Sequence, residues 1–524
     1  MKNRVFQFPW HALLFSLYPT LALLATNISE VDLQVALRPL LVSLLAACVV
    51  LVLLQLLVRN WTKAGMLTTG SLLIFFSYGH VYQALRRINF LGFSIGRHRY
   101  LLPLFIGVLL ILILLVWRSR REFQATTGVL NAIAVILVLL PVFQTGMFLA
   151  RTGSGLRKAA GNDEELILHP SPDAPLPDVY YIILDTYTRA DALQRDYAYD
   201  NSGFVQALEE RGFYVAECSR CNYSYTQGSL TTELNLHYLP ELEEQLSEMG
   251  LQDQDIWVLL KQSFVRKQLE ALGYTTIAFE TGYDWSRIKD ADIYLSLTAD
   301  PLSLQRLTPF ESMLVESTAA LLWSDMQSVL AAREAQVIHK TTGIEGFAYS
   351  GYAQRQLFIL DSLPELAKIP EPTFAFVHLL IPHVPYVFTS EGEIWSDPGY
   401  YSGPRAEPVD DQHWRDGYTS EITFINTQML DIFDQILAQS KTPPIILVHG
   451  DHGLRGENRA LTLSAFYLPG GGEAGLYPQI TPVNHFRVIF DTYYGTDFGL
   501  LPDVTHVEGH PEPVEEINPA CQLP

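Results

Sequence analysis

The sequence predicts an α-helical membrane domain of about five spans, followed by an α/β domain with a mostly parallel central sheet. Long apolar segments are concentrated in the first 150 residues. Charge is divided in the same way, because residues 1–150 hold 12 Lys and Arg against 3 Asp and Glu, whereas the remainder holds 23 against 53. In the second part, short apolar runs alternate with helical patterns, which is typical of a sheet covered on both faces.

The membrane domain is predicted from five hydrophobic segments. These lie near residues 9–26, 39–58, 66–85, 101–117 and 128–150. Most of them approach the roughly 20 apolar residues that a helix needs to cross a bilayer. The segment 39–58 carries no charge and is the clearest span, whereas polar residues such as His80 make 66–85 the least apolar. No small-residue cleavage site follows the first segment, so we expect a retained anchor rather than a signal peptide.

Composition limits the partners and the compartment. The acidic second part argues against nucleic acid as a partner. Positive charge does not fix the orientation of the spans, since seven Lys and Arg fall on one side and eight on the other. Four cysteines are too few for a disulfide framework. Cys218 and Cys221 form either a local disulfide in an oxidising compartment or two free thiols.

The second part of the chain is predicted to have a linker and one catalytic domain. Residues 151–176 mix Gly, Ser, Pro and charges and indicate a linker. Residues 177–524 then contain the strand-like runs "VYYIIL", "FAFVHLL" and "IILV". The stretch 300–350 has helical patterns between core strands, so we expect either an ordinary covering helix or a substrate lid near the active face.

Metal-competent side chains follow these runs. Asp185 ends the first run, His383 follows the second, and Asp451 and His452 follow the third. Ligands of parallel sheets bind beyond the carboxyl ends of the strands, so these residues are expected to meet. Two carboxylates and an imidazole suit a divalent cation such as zinc, manganese or magnesium. His449 either supports the Asp451–His452 pair or fills the last inward position of its strand.

A hydroxyl nucleophile is expected in "NYSYTQGSLTTELN". Thr226 and Ser229 precede an apolar helical pattern, and the amino terminus of a helix favours an incoming anion. A bound metal can activate such a hydroxyl. The alternative is an ordinary helix cap, the usual role of Ser and Thr. In "HLLIPHVPY", His383 is the better candidate for binding substrate or acting as an acid, and His378 is either a second substrate-binding residue or a core histidine.

Taken together, "DVYYIILDTYTRAD", "NYSYTQGSLTTELN", "HLLIPHVPY" and "VHGDHG" resemble the sulfatase-like branch of the alkaline phosphatase superfamily. The resemblance covers roughly residues 177–510. Five spans before such a domain are similar to the layout of lipoteichoic acid synthase and the phosphoethanolamine transferases. The fold is therefore expected to be alkaline phosphatase-like or sulfatase-like.

The resemblance implies the roles of particular residues. One divalent metal, zinc or manganese with magnesium or calcium as alternatives, would be held by Asp185, Thr226, Asp451 and His452. Thr226 would be the nucleophile and would form a phospho-threonine. His383, as a catalytic and substrate-binding residue, would bind the transferred group. Substrate would also be bound by His378 and Arg455.

Three departures limit the resemblance. The lipoteichoic acid synthase and phosphoethanolamine transferases have Glu where this chain has Asp185, and sulfatases have a second Asp at the position of Thr186. Formylglycine sulfatases also carry a C/S-x-P-x-R motif, which "CSRC" does not match. A phosphotransferase is therefore favoured over a formylglycine sulfatase, and one main metal over a complete pair.

The predicted function is a metal-dependent phosphotransferase or phosphodiesterase in the inner or plasma membrane, multi-pass, with its catalytic domain outside the cytoplasm. The expected donor is a membrane lipid head group, and the acceptor is a glycan, a lipid or water. The alternatives are a sulfate- or phosphate-ester hydrolase of the same fold and an inactive membrane scaffold.

Overall fold

The computed structural model of the chain divides into two compact units, which are described separately. One comprises Met1–Ala150 and Thr298–Gly351, and the other comprises Arg151–Leu297 and Tyr352–Pro524. The residues described are 8–85, 88–90, 93–94, 98–161, 166–172, 175–297, 308–322, 344–370, 372–395, 412–454, 459–506 and 521.

Five helices lie at the five predicted hydrophobic segments. They are α1 (Trp10–Thr26), α2 (Leu37–Val58, preceded by the 3₁₀ turn Leu33–Ala36), α3 (Trp61–Leu85), α4 (His98–Arg118) and α5 (Gln124–Gly161). A two-stranded ribbon pairs Asn89–Phe90 with Phe93–Ser94 between α3 and α4. Many large apolar side chains of α2, α4 and α5 are exposed, as expected of helices whose surroundings are lipid.

Within the described residues, three helices are long and apolar enough to cross a membrane. They are Leu33–Val58, His98–Arg118 and the 38-residue helix Gln124–Gly161. The 17-residue α1 is apolar but short. The helix α3 has sufficient length, yet its polar residues keep it outside this group, in agreement with its weaker sequence signal. The count of five spans therefore stays a prediction.

The described residues of the stretch between the core strands, 308–322 and 344–350, belong to the unit of the apolar helices. Helix α12 (Pro309–Glu316) starts with a capping box formed by Thr308 and Glu311. Phe310 is buried in a cluster with Leu24 of α1, and Glu311 forms an ion pair with Arg38 of α2. These contacts hold residues 308–322 within their own unit, and the choice between a covering helix and a substrate lid stays a prediction.

The second unit is built on a seven-stranded, mostly parallel sheet, which confirms the predicted sheet type. The strands are β1 (Val179–Leu184), β2 (Tyr214–Val215), β3 (Thr275–Phe279), β4 (Ile293–Leu295), β5 (Thr373–Leu379), β6 (Ile445–His449) and β7 (Ser464–Tyr467). Their order is β2-β7-β6-β1-β5-β3-β4. Only β7 runs antiparallel to its neighbours β6 and β2 within the described sheet. The strands β1, β5 and β6 are buried along their whole length.

Helices cover this sheet. They are α6 (Ala190–Tyr197), α7 (Ser202–Glu210), α8 (Thr226–Asn235), α9 (Leu239–Met249), α10 (Trp257–Lys261), α11 (Phe264–Ala271), α13 (Ile344–Leu366), α14 (Gln412–Gln439) and α15 (Pro482–Tyr493). The three central strands β6, β1 and β5 are parallel, with Leu184 beside Leu379 and Ile183 beside His449. Their carboxyl ends therefore lie together at one edge of the sheet.

Two local features differ from the sequence predictions. The predicted linker 151–176 begins as helix, since α5 continues to Gly161. Arg151 of this helical extension forms an ion pair with Asp255 at 2.9 Å.

Cys218 is bonded to Cys521, 303 residues away, so the predicted alternative of a local disulfide between Cys218 and Cys221 is wrong. Cys221 is a free, buried thiol whose Sγ lies 3.4 Å from the carbonyl oxygen of Arg459.

Candidate metal and catalytic site

The carboxyl edge of the sheet brings three predicted metal ligands together. Ligand atoms of Asp185, after β1, and of Asp451 and His452, after β6, lie within 4.8 Å of one another. The chain turns sharply at both points. Thr186 has a φ of 63°, and a Cβ at Gly450 would lie 2.3 Å from the carbonyl oxygen of Tyr187. Only glycine permits this close approach of the two loops.

The donor atoms of these residues fit a bound cation. Oδ1 of Asp185 and Oδ2 of Asp451 are buried and have no hydrogen-bond partner among the described residues. The other oxygen of Asp451, Oδ1, accepts from the amide of Thr186 at 2.9 Å. Nδ1 of His452 lies 2.9 Å from the carbonyl oxygen of Gly453, so it carries the proton and leaves the lone pair on Nε2. Two unpartnered carboxylate oxygens and an imidazole lone pair therefore converge where a divalent cation would be held.

Thr226 and Ser229 occupy different environments. Thr226 is the first residue of α8 and is partly exposed, and its Oγ1 lies 3.3 Å from Nε2 of His452. Ser229 is fully buried and donates from Oγ to the carbonyl oxygen of Asp451 at 2.7 Å. The first amides of α8 have no partner within the helix, so they are directed toward the region of Thr226. Thr226 therefore has the geometry of a nucleophile, and Ser229 that of a support for the Asp451 loop.

The two histidines of the β5 segment have unlike positions. His378 is fully buried within β5, and its Nε2 lies 3.3 Å from Oδ2 of Asp185, so it stands behind this carboxylate. His383 is partly exposed and lies between two cis X-Pro bonds, at Pro382 and Pro385. Its Nδ1 is 2.6 Å from the carbonyl oxygen of Val384, which leaves Nε2 to face a ligand. Arg455, the remaining predicted substrate-binding residue, lies outside the described residues.

Electrostatics favour a charged carboxylate at Asp185. Burial by itself would raise the pKa of this carboxyl, but the nearby imidazoles of His383, His378 and His452 together lower the pKa well below its usual range. Asp185 is thus ionised, as a metal ligand must be.

The sequence analysis did not find a second buried cluster, centred on Glu233 of α8. Oε1 of Glu233 lies 2.8 Å from Nδ1 of His485, and Oε2 lies 2.8 Å from the hydroxyl of Tyr181 and 3.3 Å from Nε2 of His449. All four side chains are fully buried. His449 is therefore part of this buried cluster at the end of its strand, and its support of the Asp451–His452 pair stays a prediction. Glu233 and His449 are 216 residues apart in the sequence, and His449 and His485 are 36 residues apart. Neither spacing predicts that these side chains are in contact.

The cluster joins elements that carry the site. Tyr181 lies on β1, which ends at Asp185, and His449 lies on β6, which leads to Asp451. Glu233 lies on the helix that begins at Thr226. Burial raises the pKa of Glu233 to about 7, which is consistent with a carboxyl that shares its protons with the phenol and imidazole partners. Ligand atoms of Glu233, His449 and His485 are close enough to hold a metal, but the contacts are hydrogen-bond distances.

No protein-family model matches the chain, and no curated protein matches it significantly. Solved structures do match. The C-terminal periplasmic domain of EptC from Escherichia coli, in complex with zinc, is 12% identical with a TM-score of 0.40, over 63% of this chain and 85% of that chain.

Two further solved structures are similar. The integral membrane lipooligosaccharide phosphoethanolamine transferase A from Neisseria meningitidis is 10% identical with a TM-score of 0.38, over 92% of this chain and 94% of that chain. A 2-O GAG sulfatase is 11% identical with a TM-score of 0.32, over 59% and 68%.

Proposed function

We propose that this chain is a metal-dependent phosphotransferase of the membrane that acts through the hydroxyl of Thr226. One observation carries the proposal. Oγ1 of Thr226 lies 3.3 Å from His452, whose ligand atom lies within 4.8 Å of those of Asp185 and Asp451. A partly exposed hydroxyl beside three convergent ligand side chains is the arrangement expected for nucleophilic catalysis assisted by a metal.

The metal that suits these donors is zinc or manganese, held by Asp185, Asp451, His452 and the Thr226 oxygen. When bound, such an ion lowers the pKa of a coordinated hydroxyl and offsets the negative charge of a phosphoryl group. A single ion is expected, because Thr186 supplies no carboxylate beside Asp185.

The residues of the chain would then act in two steps. The Thr226 hydroxyl would lose its proton to solvent, and its oxygen would form a bond to phosphorus while the bond from phosphorus to the leaving oxygen breaks. His383, held through Nδ1 by the carbonyl of Val384, donates a proton from Nε2 to that leaving oxygen. The free amides at the start of α8 stabilise the charge on the phosphoryl oxygens. In the second step the acceptor hydroxyl would give its proton to His383 and its oxygen would form a bond to phosphorus. The bond from phosphorus to the Thr226 oxygen breaks, and that oxygen takes up a proton from solvent.

The membrane helices suggest the donor. We propose a phospholipid head group as donor and an envelope glycan or lipid as acceptor, with the catalytic unit outside the cytoplasm. Three described helices able to cross a bilayer support a membrane location. The disulfide between Cys218 and Cys521 supports an oxidising compartment.

The test uses purified full-length protein in vesicles that contain phosphatidylglycerol or phosphatidylethanolamine with a labelled head group. We expect the label to appear on Thr226 and then on an added glycan acceptor, and both signals to be lost after chelation. Release of the labelled head group into water alone would indicate a hydrolase. Absence of bound metal together with absence of turnover would instead favour an inactive scaffold.

A further inference from the structure

A positively charged side chain with no hydrogen bond or ion pair to any described residue lies on the helix that contacts the loop of His383. Arg355 belongs to α13, one turn after Tyr352 and next to Gln356. The hydroxyl of Tyr352 donates to the carbonyl oxygen of Leu380 and lies 3.4 Å from that of His383. Oε1 of Gln356 accepts from the amide of Leu380 at 2.9 Å. These contacts fix this turn of α13 against the loop that carries His383.

The guanidinium of Arg355 packs on the loop that follows β3. A Cβ at Gly282 would lie 3.1 Å from one of its terminal nitrogens and 3.3 Å from Nε, and Gly282 has a φ of 102°. A side chain at this position would therefore displace the guanidinium. The same loop carries Trp285, whose ring centroid lies 5.8 Å from that of His378, the partner of Asp185. The loop that contacts Arg355 therefore also contacts His378, the histidine next to Asp185.

Arg355 has no hydrogen bond or ion pair with any residue that the structure describes, and its Nε is buried without a partner. The carboxylate of Glu280 attracts the Arg355 charge from beyond ion-pair distance, and its oxygens are already engaged. Glu280 accepts from Arg287 at 2.6 Å and from the hydroxyl of Tyr294 at 2.7 Å, and Asp284 lies 3.4 Å from Lys261. Burial also lowers the pKa of Arg355. An arginine stays charged in proteins, and a desolvated charge is unfavourable unless it is paired.

The rest of the Arg355 side chain is only half-buried, so an external group can reach it. The planar guanidinium binds carboxylates and phosphates through two parallel hydrogen bonds. The order of the strands gives the separation of the two sites. Because β3 is the second strand from β1, and neighbouring strands are about 4.8 Å apart, the loop of Gly282 lies about 10 Å from the loop of Asp185.

We propose that Arg355 forms an anion subsite that binds a second oxyanion of the substrate, a phosphate or a carboxylate, about 10 Å from the transferred phosphoryl group. The reacting molecules would therefore carry two negatively charged groups, one at Thr226 and one at Arg355. The anion subsite itself rests on the unpaired guanidinium, whereas its role in substrate selection rests on the proposed function.

A crystallographic experiment tests binding separately from activity. Crystals of the full chain, treated with chelator to empty the metal site, are soaked in tungstate, an anomalously scattering analogue of phosphate. We expect a tungsten peak in contact with the Arg355 guanidinium, and its loss in Arg355→Gln. A peak elsewhere only, or a carboxylate of the chain itself bound to Arg355, would overturn the proposal. A peak at Arg355 in a protein that has no phosphotransferase activity would retain the anion subsite and reject the proposed function.

Kinetics of the metal-loaded protein then identify the molecule that carries the second anion. Arg355→Gln should raise KM at least about tenfold for that molecule, the lipid donor or the glycan acceptor, with kcat changed much less. Arg355→Lys should give an intermediate KM, since it retains the charge and loses the planar fork. The matched control is Arg211→Gln, because the ion pair of Arg211 with Asp434 is exposed. The two Arg355 variants should melt no lower than the unaltered protein. A KM that is the same in the unaltered protein and in all three variants would contradict the role of Arg355 in substrate selection.

Discussion

Oγ1 of Thr226 lies 3.3 Å from Nε2 of His452, on the partly exposed side of α8. The hydroxyl is therefore within reach of both a metal ligand and solvent. We expect Thr226→Ala to reduce turnover at least about a thousandfold, because no other hydroxyl of the helix reaches the same position. Mass spectrometry of protein trapped with labelled lipid would show no phosphorylated peptide containing residue 226.

The control for this prediction is Ser229→Ala. Its hydroxyl donates to the carbonyl oxygen of Asp451 inside the protein, so its loss should lower stability by about 1 kcal/mol and leave the phospho-adduct in place. If Ser229→Ala loses the adduct while Thr226→Ala keeps it, the nucleophile is Ser229.

The unpartnered oxygen of Asp451 leads to a prediction about metal affinity. Asp451→Asn retains an acceptor for the amide of Thr186 but replaces the free carboxylate oxygen, Oδ2, with an amide. We expect zinc affinity to fall at least about tenfold with little loss of stability. Zinc competition titrations and elemental analysis would measure this change. Asp434→Asn, at an exposed position, should bind zinc like the unaltered protein, and equal affinity in both variants would exclude Asp451 as a ligand.

Glu233 is expected to position the catalytic elements without being a metal ligand. Glu233→Gln keeps the size of the side chain but places an amide donor against the phenol of Tyr181 or the ring of His485. We expect the free energy of unfolding to fall by about 1–3 kcal/mol and kcat to fall, with metal content unchanged at one ion per chain. Elemental analysis tests the last point: two ions in the unaltered protein and one in Glu233→Gln would mean that the cluster is itself a metal site. Glu210→Gln on the exposed surface is the control.

Glu421 should make stability depend on pH. Its Oε1 accepts from the amides of Val387 and Phe388, its Oε2 has no partner among the described residues, and burial raises its pKa well above the ordinary value of 4.5. Above pH 4.5 the unfolded chain releases this proton while the folded protein keeps it. The contribution of Glu421 to the free energy of unfolding therefore falls as pH rises, by at most about 1.4 kcal/mol for each pH unit.

The matched variant is Glu421→Gln, which resembles the protonated acid at every pH. Its stability relative to the unaltered protein should increase from pH 5 toward pH 8, as measured by thermal melting in detergent. A constant difference between the two proteins over this range would show that Glu421 has an ordinary pKa in the fold.

Residues at strand ends could be predicted from the sequence because local order determines them. The runs that became β1 and β6 are continuous and apolar, and the polar residues after them must lie at the edge of the sheet. This reasoning brought Asp185, Asp451 and His452 together correctly. Partial exposure of Thr226 and full burial of Ser229 needed the packing of α8, which no local pattern reveals.

Contacts between distant segments were not predictable in the same way. The bond of Cys218 to Cys521 closes 303 residues, and sequence spacing favours the nearer Cys221. The four side chains around Glu233 come from β1, α8, β6 and α15. Arg355 has no ion pair with any described residue. This property depends on which carboxylates the fold brings near Arg355 and on which other groups bind them, so the sequence does not reveal it.

The ion pair of Glu311 with Arg38, and the burial of Phe310 against Leu24, affect how the protein can be handled. A water-soluble fragment that starts near residue 177 would retain helix α12 but lose α1 and α2, which cover it. Phe310 would then meet solvent and Glu311 would lose its cation, so the fragment should self-associate unless the insertion is shortened. For crystallisation and for assays, the helices at the start of the chain therefore belong to the folding unit of a segment that lies nearly 300 residues later.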